Sequence, residues 1–168
     1  MERKTEPHDL LVALLLVQNL MERRSEAFFA PLGLTGAQFN ILNLLAVRDG
    51  RLDQVELVGL LLVGKSSISI VLNRMVRDGL VRREEHPKDR RQTVLILTPK
   101  GRARWKKVAP RYLQGVDEVF GALAPAHRQH FLDDLKVLHD ALLATEGVSH
   151  ADADKIWQPP FDAGKKTP

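Results

Sequence analysis

The feature that most restricts the fold is a pair of short β-favouring runs on either side of a charged segment. The runs are LVRREEH (80–86) and TVLILT (93–98), and the segment between them is PKDRRQ (87–92), which carries a proline and three cations. Branched aliphatic residues favour strands, whereas proline and aspartate favour turns. The pattern therefore predicts a β-hairpin with a cationic tip at residues 87–92.

The segment before this hairpin, residues 66–79, has the periodicity of an amphipathic helix. Its apolar residues recur at helical spacing and predict a buried stripe: Ile68, Val71, Leu72, Met75 and Val76. The opposite face carries Ser66, Ser69, Ile70, Asn73 and Arg77, with Arg74 near its edge. Gly79 is placed to end the helix in the left-handed conformation. Small hydroxyls followed by Asn and Arg suit hydrogen bonding to a DNA duplex, although the same residues are common on solvated helix surfaces.

Further helices are predicted on both sides. Residues 8–30 form a Leu-rich helix ended by Pro31 and Gly33, and Thr35 with Gln38 has the form of a capping box that opens a helix ending at Gly50. A short helix then runs from Asp53 to Gly64. Thr98 and Pro99 open a helix over 98–120 that Pro110 should bend, and Pro125 opens the last one. Two short helices followed by a basic hairpin predict a winged helix-turn-helix.

The charge of the chain supports a phosphate-binding surface. Residues 74–107 hold 12 basic and 4 acidic residues, a charge of +8, whereas the rest holds 13 basic and 17 acidic residues, a charge of −4. A block of this kind is typical of a nucleic-acid interface. The chain has no cysteine, and its longest apolar run, 10–17, is shorter than the roughly 20 residues of a membrane helix. We therefore expect a cytoplasmic protein with double-stranded DNA as partner and no membrane association.

The terminal helices have more apolar surface than a small winged domain can cover. On the last helix Phe131, Leu135, Leu138 and Leu142 form a stripe. Together with the Leu-rich first helix, this predicts a homodimer. The first helix should contribute Leu10, Leu14, Val17 and Met21 to the interface. Residues 146–168 show no sustained period, and we expect a mobile tail.

These segments resemble the multiple-antibiotic-resistance regulator (MarR) family of winged helix-turn-helix transcription factors. The residues that carry the resemblance are LTGAQFNIL (34–42), VGKSSISIVLNRMVRDGLVRRE (63–84) and DRRQTVLILTPKG (89–101). The last one matches the wing signature of the family. The resemblance implies a mainly α fold with a small β-wing and long dimerising terminal helices. It also implies a DNA-binding regulator, often a repressor that a small aromatic or phenolic ligand releases. The two-fold symmetry of the predicted dimer predicts palindromic operators.

The resemblance also assigns roles to individual residues. Asp89 and Arg91 would pair to stiffen the wing, and Lys88 and Arg90 would meet DNA. The remaining predicted DNA contacts are Gln54, Ser66, Ser67, Ser69, Ile70, Asn73, Arg74 and Arg77. Many members carry an Arg where this chain has Ile70, which can pack on a thymine methyl but cannot pair with guanine. The candidate ligand-binding residues are Phe28, Phe39, Asn40, Asn43 and Tyr112, although a core or surface role is favoured for each.

The predicted domains follow this organisation: an N-terminal dimerisation helix (8–34), the DNA-binding domain (35–97), C-terminal dimerisation helices (98–145) and the tail (146–168). Two other classes stay open. The first is a winged-helix module that binds another protein, which Ile70 favours. The second is a metal or catalytic protein, because His127, His130 and Asp134 share a helix face. A solvated face is favoured there, and since no phosphate loop or hydrolase motif occurs, we expect neither an enzyme, nor a metal, nor a cofactor.

Overall fold

The computed structural model describes residues 5–61, 65–87 and 89–145, without the side chains of residues 65–67 and 90. The chain divides into two compact units, residues 1–40 and 41–168. The predicted tail lies outside the described residues. In chain order the elements are α1 (Pro7–Phe29), a 3₁₀ turn (Ala30–Leu32), α2 (Gly36–Val47), β1 (Arg51–Asp53), α3 (Gln54–Leu61), α4 (Lys65–Arg77), β2 (Val81–His86), β3 (Asp89–Leu97), α5 (Pro99–Phe120) and α6 (Pro125–Thr145). The predicted class, mainly helical with a small β-wing, is confirmed.

The first unit consists of α1, the 3₁₀ turn and the start of α2. At the N-terminus of α1, the backbone N–H of Glu6 donates to the Asp9 carboxylate at 3.1 Å, and Pro7 occupies the first helical position, where no N–H is needed. The unit ends with the predicted capping box: the Thr35 N–H donates to Gln38 Oε1 at 3.0 Å, and the Gln38 N–H donates to Thr35 Oγ1 at 3.2 Å.

The second unit packs the rest of α2 and the helices α3 and α4 around a three-stranded antiparallel sheet of order β1-β3-β2. Its core is aliphatic and contains the fully buried side chains of Leu42, Leu45, Leu57, Leu72, Met75, Val94, Leu95 and Val108. At the end of α2, Gly50 adopts φ +82° and its N–H donates to Leu45 O at 2.8 Å, which confirms the predicted stop.

The strand β1 was not predicted, because the sequence pattern indicated two strands and none at residues 51–53. Leu52 pairs with Leu95, so β1 lies on the side of β3 opposite to β2. A three-residue strand has too little alternation to be recognised, and its partner lies more than forty residues away in the chain.

The tip of the hairpin is also shorter than predicted. The sequence pattern predicted a turn over residues 87–92, but β3 already begins at Asp89, which pairs with His86. Beyond that pair the register shifts between Glu85 and His86, and Glu85 pairs with Thr93. The residues Arg90, Arg91 and Gln92 are therefore a bulge within β3 and not part of the turn, because a strand can absorb extra residues without ending.

The helices α5 and α6 complete the second unit. Thr98 caps α5 as predicted, since its Oγ1 accepts from the Gly101 N–H at 3.0 Å, and Pro110 lies inside the helix. Among the described helices, none is by itself long and apolar enough to cross a membrane. One pair of described segments, Pro7–Leu32 and Gly36–Val47, has the required length and composition when taken together, and it is bent by 79° at the break.

Candidate nucleic-acid interface

The helix α4 has one buried face and one exposed face, as its periodicity predicts. Ile68, Leu72 and Met75 are buried in the core. On the opposite side Ile70 is 72% exposed. The other predicted DNA contacts on this face are also accessible, namely Asn73, Arg74 and Arg77, whereas Ser69 is half-buried. The structure does not describe the side chains of Ser66 and Ser67, so their contacts with DNA stay predictions.

The end of α4 is built from a glycine turn with backbone hydrogen bonds. Gly79 adopts φ +70° and its N–H donates to Val76 O at 3.0 Å, while the Leu80 N–H donates to Met75 O at 2.9 Å. These two bonds are those of a Schellman motif, which satisfies the last carbonyls of a helix. The turn directs the chain from α4 straight into β2.

The start of α5 is bonded to this same turn. Thr98 Oγ1 donates to Gly79 O at 2.7 Å, and Lys100 Nζ donates to Asp78 O at 2.7 Å. A Cβ atom on Gly101 would lie 2.1 Å from Leu80 O, so only glycine allows this approach of the two backbones. Residues 98–101, which directly follow β3, therefore hold the C-terminus of α4 against the N-terminus of α5.

The wing is the hairpin formed by β2 and β3. Asp89 Oδ1 accepts from the Arg91 backbone N–H at 3.0 Å, and Asp89 Oδ2 accepts from Gln92 Nε2 at 3.3 Å. The resemblance implied an Asp89–Arg91 pair, and the contact that Asp89 makes with Arg91 runs through the backbone. Lys88 and the side chain of Arg90 lie outside the described part of the chain, so their predicted contacts with DNA stay predictions.

A contact between the wing and α4 was not predicted. Arg83 Nη1 on β2 donates to Asn73 Oδ1 on α4 at 2.8 Å. The two residues are ten positions apart and belong to different elements, and no spacing rule for a helix or a hairpin connects them. The contact joins an outward-facing residue of α4 to the hairpin.

Cations on the exposed face of α4 form only weak ion pairs. Arg74 Nε lies 3.8 Å and Arg77 Nε 3.9 Å from the Asp78 carboxylate, and both arginine side chains are more than half exposed. Exposed pairs of this kind contribute roughly 0 to 1 kcal/mol, so DNA phosphates can compete for these guanidinium groups. Gln54, the other predicted contact, is the first residue of α3 and is half-buried.

The candidate ligand-binding residues differ in accessibility. In the first unit Phe39 is fully buried, Phe28 is half-buried and Asn40 is exposed. In the second unit Asn43 is buried, and its Oδ1 accepts from Trp105 Nε1 at 3.0 Å, a contact that was not predicted. Burial raises the pKa of Tyr112 above its ordinary value of 10.0. Phe39 and Asn43 thus have core roles, whereas Phe28, Asn40 and Tyr112 leave part of their surface open.

Two observations concern metal binding. Within the described residues no group of three or more His, Cys, Asp or Glu side chains could hold a metal ion. The candidate set of His127, His130 and Asp134 lies on the exposed surface of α6.

Known proteins share both the sequence pattern and the fold. A family model described as the MarR family matches residues 32–92. The HTH-type transcriptional repressor YetL of Bacillus subtilis is 30% identical over 135 residues, which cover 80% of this chain and 81% of YetL. This chain belongs to the MarR family. The MarR family consists of DNA-binding transcription regulators and not of enzymes.

Solved structures of MarR-type regulators have the same fold. AbsC, a MarR family transcriptional regulator from Streptomyces coelicolor, is 29% identical with a TM-score of 0.77, and the match covers 85% of this chain and 99% of AbsC. The organohalide-sensing regulator RdhR in its 2,4-dichlorophenol-bound form is 19% identical with a TM-score of 0.71, covering 80% of this chain and 79% of RdhR. At this lower identity the likeness shows the fold alone.

Proposed function

We propose that this protein is a homodimeric repressor in the cytoplasm that binds palindromic DNA and is released by a small aromatic or phenolic ligand. The observation that carries the proposal is the exposed face of α4, which presents Ile70, Asn73 and Arg74 and is bonded to the wing through Arg83. In a winged helix-turn-helix, such a helix enters the major groove and the hairpin reaches the adjacent backbone. The name of YetL, a transcriptional repressor, supports the direction of regulation.

The DNA-binding part of the proposal is tested by selecting bound sequences from random duplexes and then measuring affinity against salt concentration. Each cation that neutralises a phosphate contributes about 0.9 to the slope of log K against log salt. We expect Arg90→Ala at the wing tip to lower the slope by about one unit and to weaken binding to all duplexes alike. Lys136→Ala on α6 removes the same charge elsewhere and should leave the slope unchanged.

An unchanged slope for Arg90→Ala would remove the wing tip from the DNA interface. An affinity for duplexes that does not rise as the salt concentration is lowered would overturn the DNA proposal altogether. The exposed Ile70 would then favour a module that binds another protein, because an accessible aliphatic side chain between polar residues also suits a protein interface.

The dimer is supported by apolar surface on each terminal helix. The exposed aliphatic residues of α1 are Leu10, Leu11, Val12, Leu14, Leu15, Leu16, Val17, Leu20 and Met21. On α6, Leu138 and Leu142 are 46% and 65% exposed, and Phe131 and Val137 are also accessible. Extended apolar surface of this kind marks an interaction site. A two-fold pairing also doubles the DNA contact of one module, about 600 to 1,000 Å², and places half-site centres about 10 base pairs apart.

Sedimentation equilibrium tests this assembly. We expect a dimer at micromolar concentration, and we expect Leu138→Glu with Leu142→Glu to give monomers, because the substitutions bring like charges into an apolar seam. The matched control is His127→Glu with His130→Glu, which adds the same charge to exposed polar positions of α6. A monomeric parent that binds single half-sites as well as palindromes would contradict the dimer.

The effector class is supported by RdhR, which was solved with 2,4-dichlorophenol, and by the open aromatic surface of Phe28 and Tyr112, each in its own unit. A set of phenols, with cyclohexanols as non-aromatic controls, is titrated into the complex with labelled DNA. We expect release by one or more phenols and by none of the cyclohexanols. If no compound changes the affinity for DNA, the regulator does not respond to this class.

A further inference from the structure

A hydrogen bond from the wing favours one orientation of the Asn73 side-chain amide. Its Oδ1 accepts from Arg83 Nη1 at 2.8 Å, a distance typical of a charge-assisted hydrogen bond. Since the carbonyl oxygen and the NH₂ group point in different directions within the plane of the amide, the N–H donors of Asn73 are directed away from Arg83. Because Asn73 is exposed, these donors are available to a partner that approaches α4.

This orientation works against the pairing that asparagine usually makes with DNA. Asparagine reads adenine with both ends of its amide, since Oδ1 accepts from N6 and Nδ2 donates to N7. Here the Arg83 guanidinium group already uses one of the two lone pairs of Oδ1, so adenine N6 would have to share this oxygen with a cation. Partners that only accept in the major groove, such as thymine O4 and guanine O6 and N7, suit Asn73 better than adenine.

Ile70 decides between these acceptors. It lies three residues before Asn73, so the two side chains are neighbours on one helix face. Its side chain is 72% exposed and can make only apolar contacts. In the major groove of unmodified DNA, thymine alone presents a methyl group, and its O4 acceptor lies on the adjacent ring carbon. A hydrocarbon side chain beside a pure donor is thus complementary to thymine.

We propose that Ile70 and Asn73 together read one thymine in each half-site, with Ile70 packed on the C5 methyl and the Asn73 NH₂ donating to O4. Arg83 is the positioning residue that sets the direction of the Asn73 amide. The proposal rests on the proposed function, in which α4 enters the major groove. It adds the base that the helix reads and the residue of the wing that determines this choice.

Modified bases separate the two contacts. In the duplex selected by the parent protein, each thymine is replaced in turn by uracil, which lacks the methyl but keeps O4. Each is also replaced by 5-methylcytosine opposite guanine, which keeps the methyl but carries a donor in place of O4. At one thymine per half-site we expect uracil to weaken binding about fourfold, the equivalent of one buried methyl group. There, 5-methylcytosine should weaken binding by about fivefold or more, as a mismatched contact does.

Variants then assign each contact to its residue. Ile70→Ala should abolish the discrimination against uracil and retain the discrimination against 5-methylcytosine, and Asn73→Ala should do the reverse. Both side chains are exposed, so circular dichroism should show an unchanged fold. A selected site in which no thymine shows both effects, or variants that do not separate them, would overturn the assignment.

The role of Arg83 is tested against its neighbour on the same strand. Arg83→Met removes the partner of Asn73, whereas Arg82→Met removes the same charge from a residue that contacts Glu84. Both variants lose one cation, but only Arg83→Met should lose the discrimination between thymine and 5-methylcytosine, and Arg83→Lys should restore part of it. Equal behaviour of the two Met variants would reject the positioning role.

The outcome also separates this inference from the proposed function. If the parent binds duplexes with a salt-dependent affinity and selects a motif without such a thymine, only the thymine assignment fails. If it selects no motif and binds no duplex, the proposed function fails with it.

Discussion

Gly101 provides the sharpest test of how the wing is attached to the helix α4. A Cβ atom at this position would lie 2.1 Å from Leu80 O, 2.8 Å from Leu97 Cδ1 and 3.0 Å from Leu80 C. Two of these atoms belong to the backbone, so a side-chain rotation cannot relieve the clash. The Leu80 carbonyl also accepts from the Thr98 N–H at 3.2 Å and from Thr98 Oγ1 at 3.0 Å. Displacing it therefore loosens the cap of α5 as well.

We expect Gly101→Ala to lower the free energy of unfolding by about 1 to 3 kcal/mol. Overpacking against a fixed neighbour costs about 1 to 3 kcal/mol, weakened hydrogen bonds add about 1 kcal/mol, and the higher helix propensity of alanine offsets about 1 kcal/mol. Equilibrium unfolding in urea, followed by circular dichroism, should show a midpoint lower by about 1 M with an unchanged slope. All variants are compared at one protein concentration, because assembly contributes to apparent stability.

Gly59→Ala is the matched control for this substitution. Gly59 lies within α3, and nothing comes within 4 Å of a Cβ atom built there. The control should therefore be more stable than the parent by as much as about 1 kcal/mol, the difference in helix propensity between glycine and alanine. If Gly101→Ala also stabilised the protein, or left the midpoint unchanged, the close approach of α5 to the Leu80 backbone would be wrong.

Two further predictions concern half-buried side chains of α5 that carry a polar group. Trp105→Phe removes the donor to Asn43 Oδ1 and should lower the free energy of unfolding by about 1 to 3 kcal/mol, because Asn43 is only 5% exposed and loses its partner. In an Asn43→Ala background the same change should cost clearly less, and equal costs in both backgrounds would show that the hydrogen bond contributes nothing. Tyr112 is the single tyrosine of the chain, so its absorbance at alkaline pH reports its own ionisation, and burial should place its pKa above 10.0. Burial favours the neutral form of Tyr112 in the folded protein. The stability that neutral Tyr112 contributes is therefore fully present below pH 10.0 and is lost as pH rises through the pKa of the folded state. A midpoint at or below 10.0, or an alkaline loss of stability that Tyr112→Phe leaves unchanged, would contradict this account.

Much of the fold was predictable because its signals are local. The buried stripe of α4, the glycine turn at Gly79 and the capping box at Thr35 each depend on residues within one or two turns of one another, and the structure confirms all three. The short strand β1 was missed because its only evidence is the pairing of Leu52 with the distant Leu95. The turn at residues 87–92 was predicted too long, because proline and charged residues suggest a loop while a bulged strand tolerates the same composition.

The candidate site divides in the same way between local and distant information. Helical periodicity predicts which side chains of α4 face outward, and Ile70, Asn73, Arg74 and Arg77 do so. It cannot predict which way an asparagine amide is turned, because that depends on what lies beside it in space. The position of Arg83 in the sequence predicts that it lies in the hairpin, but it does not predict a contact with α4.

The direction of the Asn73 amide matters more for function than the presence of asparagine. An asparagine with a free amide can read adenine or an acceptor, and a sequence that shows only the residue type leaves both open. The hydrogen bond from Arg83 to Asn73 Oδ1 favours one of these alternatives, and the hydrocarbon of Ile70 restricts it again. Specificity in such a helix therefore arises partly from a residue of the wing that does not itself need to touch a base. A relative with the same α4 residues and no arginine at the position of Arg83 should accordingly lose the preference for an acceptor opposite its asparagine.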